Sequence, residues 1–135
     1  MLSKRVSSSP MRTAAVEALD RVDLVCVHVE ATDEAGHNAD AKGKVQALEQ
    51  IDRHIVGPLL ERLRKEGDDW RILVLPDHPT PCTIRTHTPE AVPFAIAGKR
   101  IESVLKTPFT EANAAASDLH IAKGHELMEF FLTVR

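Results

Sequence analysis

Apolar residues recur along this chain with two different periods, and the alternation of the two sets out its elements. The run DLVCVHVE, Asp23 to Glu30, is rich in β-branched and apolar residues, the pattern of a strand buried on both faces. From Ala35 to Lys65 the positions Val45, Leu48, Ile51, Ile55, Leu59 and Leu63 recur at three- and four-residue spacing and predict one long helix. Gly57-Pro58 interrupts that stripe, so a kink or break is expected near residue 57, and Gly67 supplies a stop. RILVLPDH, Arg71 to His78, and VPFAIAG, Val92 to Gly98, predict two more strands. Ser117 to Val134 carries Leu119, Ile121, Leu127, Met128, Phe131 and Leu132 at helical spacing. Residues 1 to 12 lack apolar periodicity, and Thr13 to Arg21 suits a short helix. The expected organisation is a leader over residues 1 to 21, flexible in part, and one domain over residues 22 to 135. Strand, long helix, strand, loop, strand, helix is the order of an α/β fold, a layered sheet with flanking helices and crossover connections.

Composition narrows the function classes. A chain of 135 residues with 43% apolar and 27% charged residues has room for one modest core. A formal charge of −3 and a pI near 6.1 give no basic footprint for a phosphate backbone, so nucleic acid is not the expected partner. No apolar run approaches the ~18 residues that span a bilayer, and no apolar signal region opens the chain, so the expected compartment is the cytoplasm. Cys26 and Cys82 lack metal-binding or redox spacing and are expected to be reduced.

The histidines carry more information, since His28, His37, His54, His78 and His87 are five of the seven. Three clusters stand out: Asp33-Glu-Ala-Gly-His37, Asp77-His78, and His87 within Arg85-Thr-His-Thr88. Each trails a predicted strand, and in open α/β sheets ligands gather beyond the carboxyl ends of strands. Asp33 and His37, four apart on a helix, would share one face and reach a single cation; the bland alternative is a helix cap beside a surface histidine. Pro76 and Pro79 take Asp77 and His78 out of regular pairing, so both could converge on one ion, or serve as a capping acid beside an exposed histidine. Two carboxylates and three imidazoles form the mixed O/N set suited to zinc or manganese. His28 is read as a core histidine or a support near the site, Trp70 as packing at the strand entrance, and Lys44 and Arg85 as solvated charges or phosphate contacts.

The stretches VHVEATDEAGHNADAKGKVQALEQIDRHIVGPLLE and RILVLPDHPTPCTIRTHTPEAVPFAIAG, with FTEANAAASDLHIAKGHELMEFFL behind them, resemble the C-terminal half of the archaeal-type cofactor-independent phosphoglycerate mutases of the alkaline phosphatase superfamily. The resemblance spans about residues 22 to 133 and rests on the ordered DxxxH, DH and HT signals. It implies a truncated alkaline-phosphatase-like domain and two divalent metals (manganese, zinc or magnesium) beside a serine that is transiently phosphorylated. By resemblance Asp33, His37 and His87 hold one metal, Asp77 and His78 help hold the other, and a phosphorylated small molecule is the substrate. Paired cations can clamp the oxygens of a phosphoryl transfer.

The chain departs from the family in one respect. Only 32 residues precede Asp33, too few for the family's upstream metal-binding aspartate, nucleophilic serine and substrate-gripping domain, and Ser7, Ser8 and Ser9 are not assigned as nucleophile. The expectation is therefore a chain inactive alone. Its rivals are a non-catalytic metal-binding or oligomerising module, and another phosphotransferase or phosphatase of the superfamily. Strands robbed of neighbours expose backbone and apolar faces, so a homo-oligomer is expected.

Overall fold

A computed structural model describes residues 8–103 and 105–133. The chain divides into two compact units, Met1–Lys65 with Thr80–Thr88, and Glu66–Pro79 with Pro89–Arg135. The first is helical and the second holds the sheet, so the fold is a mixed α/β arrangement with a small two-stranded sheet. No helix among the described residues is long and apolar enough to cross a membrane.

In the first unit, α1 spans Ser8–Ala18, which includes part of the expected leader; residues 1–7 lie outside the described residues. α2 (Ala31–His37) and α3 (Ala41–Ile51) replace the upper half of the long helix expected from the stripe. The break falls at residues 38–40, not at Gly57. Ala39 sits in the left-handed region at φ 56°. Its amide donates to Gly36 O at 3.0 Å and that of Asp40 to Ala35 O at 2.9 Å, a closing pair that satisfies the last carbonyls of α2. Asp40 then caps α3, its Oδ1 accepting from Gly43 N at 2.8 Å.

At Gly57-Pro58 the helix does not break. A π-helical turn, Asp52–Val56, leads directly into α4, Gly57–Arg64. Pro58 has no N–H and would clash with the carbonyl four residues back in a regular helix. The wider turn accommodates it, with Gly57 N–H reaching Asp52 O. α1 packs against this turn and α4, burying Ala15, Ile55 and Leu63 at 4–8% exposure; a buried side chain of the Ile or Leu class is worth roughly 1.5–3 kcal/mol. An Arg62–Asp20 ion pair at 2.7 Å borders the packing.

The segment Asp23–Glu30, expected as a strand, forms neither a helix nor a ladder among the described residues. Its alternation survives: Val25, Val27 and Val29 are half-buried, while Leu24, Cys26, His28 and Glu30 are exposed. With Ala14, Ala15 and Ala18 of α1, residues Val25 to His28 line a shallow cleft of about 300 Å³. β-branched alternation suits a pleat, but a strand needs a neighbour to pair with.

In the second unit, β1 (Arg71–Val74) pairs antiparallel with β2 (Ala95–Gly98), Arg71 opposite Gly98 and Val74 opposite Ala95. Both are shorter than the expected Arg71–His78 and Val92–Gly98, because Pro76 and Pro93 cannot donate to a ladder. Gly98 has φ 119°, and a Cβ there would lie 2.1 Å from Trp70 O, so only glycine fits. Trp70 stands at the entrance of β1, its Nε1–H donating to Gly67 O at 2.9 Å. Arg71 donates to Lys99 O, Phe131 O and Leu132 O at 2.7–3.0 Å, tying the sheet to the last helix. α5 is Glu111–Ala115, and α6, Leu127–Thr133, follows a 3-10 turn at Gly124–Glu126. The expected helix over Ser117–Val134 therefore forms only in its second half. Near its start His120 Nε2–H donates to Ser117 O at 2.8 Å, a local bond that competes with helical pairing.

Candidate metal centre

Asp33 and His37 lie in the first and last turns of α2. Their four-residue spacing places them on one face, with Asp33 Oδ2 3.3 Å from His37 Nε2. The alternative of a capping acid is not what Asp33 does here: the N-cap is Glu30, and it makes no side-chain cap bond.

His87 arrives on the loop Thr80–Thr88. A single turn forms as Ile84 N and Arg85 N both donate to Pro81 O, at 3.0 and 2.8 Å. Arg85 closes it at φ 61°, a left-handed conformation that costs a non-glycine residue on the order of 1–2 kcal/mol. The return is an aimed carbonyl, since His37 Nδ1 lies 2.9 Å from Arg85 O. A carbonyl can only accept, so Nδ1 carries a proton and Nε2 is the ring nitrogen left to face the other two residues. That Nε2 is 3.3 Å from His87 Nε2, and His87 Nε2 is 3.4 Å from Asp33 Oδ1. The two rings stand 5.1 Å apart at 51°.

These separations test whether the residues fit a cation. An ion with bonds of about 2.0–2.1 Å in tetrahedral array holds its donors about 3.3–3.4 Å apart; His37 Nε2 lies 3.3 Å from both His87 Nε2 and Asp33 Oδ2, while His87 Nε2 meets the other carboxylate oxygen, Oδ1, at 3.4 Å. One donor atom from each residue lies within 4.8 Å of the others. The second nitrogen of His37 is already bonded to a backbone carbonyl, as in histidines that ligate metals. Two imidazoles and a carboxylate, half exposed, suit a first-row divalent ion.

Sequence reasoning passed over Thr80. It is 4% exposed, and its hydroxyl donates to Asp33 Oδ1 at 2.6 Å. Lys44 Nζ donates to Thr80 O at 2.7 Å, so Lys44 is committed to the fold where a solvated charge or phosphate contact was expected. The available signal was a hydroxyl residue held between Pro79 and Pro81, directly after the DH pair.

Asp77 and His78 belong to the second unit and face each other. Asp77 Oδ1 accepts from His78 N at 3.0 Å, and its Oδ2 lies 3.5 Å from His78 Nε2. His28 is exposed, 3.8 Å from Glu30 Oε1; it is not a core histidine, because the valines of its segment take the inward face. Cys26 and Cys82 are free thiols.

A family model described as the metalloenzyme superfamily matches residues 1–134. The 2,3-bisphosphoglycerate-independent phosphoglycerate mutase of Methanothrix thermoacetophila is 44% identical over 119 residues, 88% of this chain and 30% of that protein. Its namesake from Methanosarcina mazei is 53% identical over 83 residues, 62% of this chain and 21% of that protein. Among solved structures, the PH0037 protein from Pyrococcus horikoshii matches with a TM-score of 0.77 at 30% identity, covering 93% of this chain and 37% of that one. The chain thus spans about 20–30% of the length of these curated relatives.

Proposed function

The chain belongs to the metalloenzyme superfamily, and from that premise we propose that Asp33, His37 and His87 hold one of two divalent ions used in phosphoryl transfer between 3- and 2-phosphoglycerate. Asp77 and His78 contribute to the other. The observation that carries this reading is the convergence of Asp33, His37 and His87, one donor atom from each within 4.8 Å of the others, with His37 Nδ1 bonded to Arg85 O. Bound divalent ions supply positive charge to phosphoryl oxygens and make a hydroxyl nucleophile more acidic.

The chain's own residues do the positioning. Arg85 O holds the His37 proton on Nδ1, so Nε2 stays available as a ligand. The Asp33 carboxylate adds a negative charge that offsets the cation, with half-exposed walls leaving room for a phosphorylated small molecule. The compartment that goes with this reading, and with two free thiols, is the cytoplasm. No residue here is assigned as the serine nucleophile, so the 135-residue chain is read as an ion-binding unit without turnover of its own.

Calorimetric titration with Mn²⁺ and Zn²⁺, paired with an assay of phosphoglycerate interconversion, tests both statements. Saturable uptake without turnover is expected. Absence of uptake would remove the ion site, and metal-dependent turnover lost in Asp77→Ala would show that the chain holds a nucleophile.

The segment Leu24–Val29, which joins no ladder among the described residues, favours a second reading, a non-catalytic oligomerising module. Open backbone and exposed Val22, Leu24, Val45 and Leu48, each near 50%, suit self-association by edge pairing. Sedimentation at micromolar concentration should show a dimer or larger species that Val27→Lys returns to monomer. A wild-type chain that stays monomeric would rule that reading out.

A further inference from the structure

We propose that Thr80 is the positioning residue of the Asp33–His37–His87 centre: its hydroxyl fixes the orientation in which the Asp33 carboxylate is presented to the cation. The proposal rests on the metal reading above, but its evidence is separate. Thr80 is the buried polar side chain among the described residues, and a buried hydroxyl is costly unless it is bonded. Here it donates to Asp33 Oδ1 at 2.6 Å, the short contact of an O–H on an ionised carboxylate.

That bond restrains rotation of the carboxylate about its Cβ–Cγ axis. One lone pair of Oδ1 is occupied, and the carboxylate is held with Oδ2 3.3 Å from His37 Nε2 and Oδ1 3.4 Å from His87 Nε2. Thr80 is itself held from two sides. Lys44 Nζ takes its carbonyl at 2.7 Å. Gly36, buried in α2 between the two ligands, lies so close that a Cβ there would be 2.4 Å from Thr80 O and 2.9 Å from Thr80 Cγ2. The helix that carries Asp33 and His37 therefore rests on the residue that orients Asp33, and a shift of one moves the other.

Residues that orient a metal ligand typically change affinity about 10–100-fold when removed. Thr80→Val keeps the shape and deletes the donor, whereas Thr80→Ser keeps the donor. Titrating Mn²⁺ into the folded chain should show Thr80→Val binding about 10–100-fold more weakly, with Thr80→Ser within about 3-fold of wild type. The visible spectrum of the Co²⁺-loaded chain should shift in Thr80→Val and be restored in Thr80→Ser, a readout that loss of packing alone would not move. Wild-type affinity and spectrum in Thr80→Val, with uptake abolished in Asp33→Ala, would overturn the role of Thr80 and leave the metal site standing. Full uptake in Asp33→Ala would overturn both. If Thr80→Val does not fold, Lys44→Met carries the test by freeing the Thr80 carbonyl, and unchanged Mn²⁺ affinity there would sink the proposal.

Discussion

The Asp33–His37–His87 centre and the Asp77–His78 pair use the same side-chain types, yet they are held in different ways. In the first, contacts bridge 47 to 50 positions of chain: Thr80 to Asp33, Arg85 to His37, and His87 to His37. In the second, the two residues are neighbours, and Asp77 commits one oxygen to the amide of His78 while its side chain is 63% exposed. Ligands fixed by distant parts of the fold keep their spacing whether or not an ion is bound. A contact between chain neighbours fixes only their mutual geometry. Preorganisation at such a site is a property of the surrounding contacts, not of the ligand types.

The largest effect should separate the two clusters directly. Asp33→Ala or His37→Ala is expected to weaken Mn²⁺ uptake by more than about 100-fold, beyond what removal of a merely orienting residue does. Asp77→Ala should leave the tightest equivalent within about 3-fold of wild type, because its side chain adds least to the preformed donor set. Equal losses in calorimetry would erase the distinction.

Gly36→Ala and Gly98→Ala sharpen it further. Each places a Cβ against backbone oxygen, at 2.4 Å from Thr80 O and 2.1 Å from Trp70 O. Each should lower unfolding free energy by about 1–3 kcal/mol in urea. Only Gly36→Ala should also weaken ion uptake, since it alone presses on the residue bonded to Asp33.

Ala39→Gly acts in the opposite sense. Relieving a left-handed alanine at φ 56° should stabilise the first unit by about 0.5–1 kcal/mol, seen as a raised denaturation midpoint with unchanged slope. Destabilisation would mean that the methyl group packs more than the backbone strains.

The smallest effect belongs to Asp69 in the second unit. A hydrogen bond from Lys99 and the charge of that ammonium hold the Asp69 carboxyl below its ordinary 3.8. With the folded value depressed, the pair's stabilisation is present above pH 3.8 and is lost as pH falls through the folded value. Asp69→Asn should flatten that acid limb slightly and leave neutral-pH stability nearly unchanged, because the group is exposed.

Much of this was readable from residue order. The Asp33–His37 spacing, the ladder cores at Arg71–Val74 and Ala95–Gly98, and the association of His87 with the first cluster follow from period and resemblance. Other features depended on what periodicity cannot report. The valines of Asp23–Glu30 show which face turns inward but not whether a neighbour exists to pair with. The chain turn after His37 uses Ala39, where glycine or asparagine would have signalled it. Thr80 is one hydroxyl in a proline-rich loop, and its role appears only once residue 33 is brought beside it.

The π-helical turn at Asp52–Val56 has a consequence of phase. In a regular α-helix each four-residue step overshoots a full turn by about 40°. From Ile51 through Ile55 and Leu59 to Leu63 the apolar stripe would therefore precess by roughly 120° and leave its face. A turn closed by Gly57 N–H on Asp52 O advances fewer degrees per residue and takes back part of that precession, so Ile55 and Leu63 are both buried, at 4% and 8%. The extra residue in the turn thus works as an angular correction to the chain. Deleting one residue between Asp52 and Val56 would turn α4 about its own axis and roll Leu63 away from the face that Ile55 occupies.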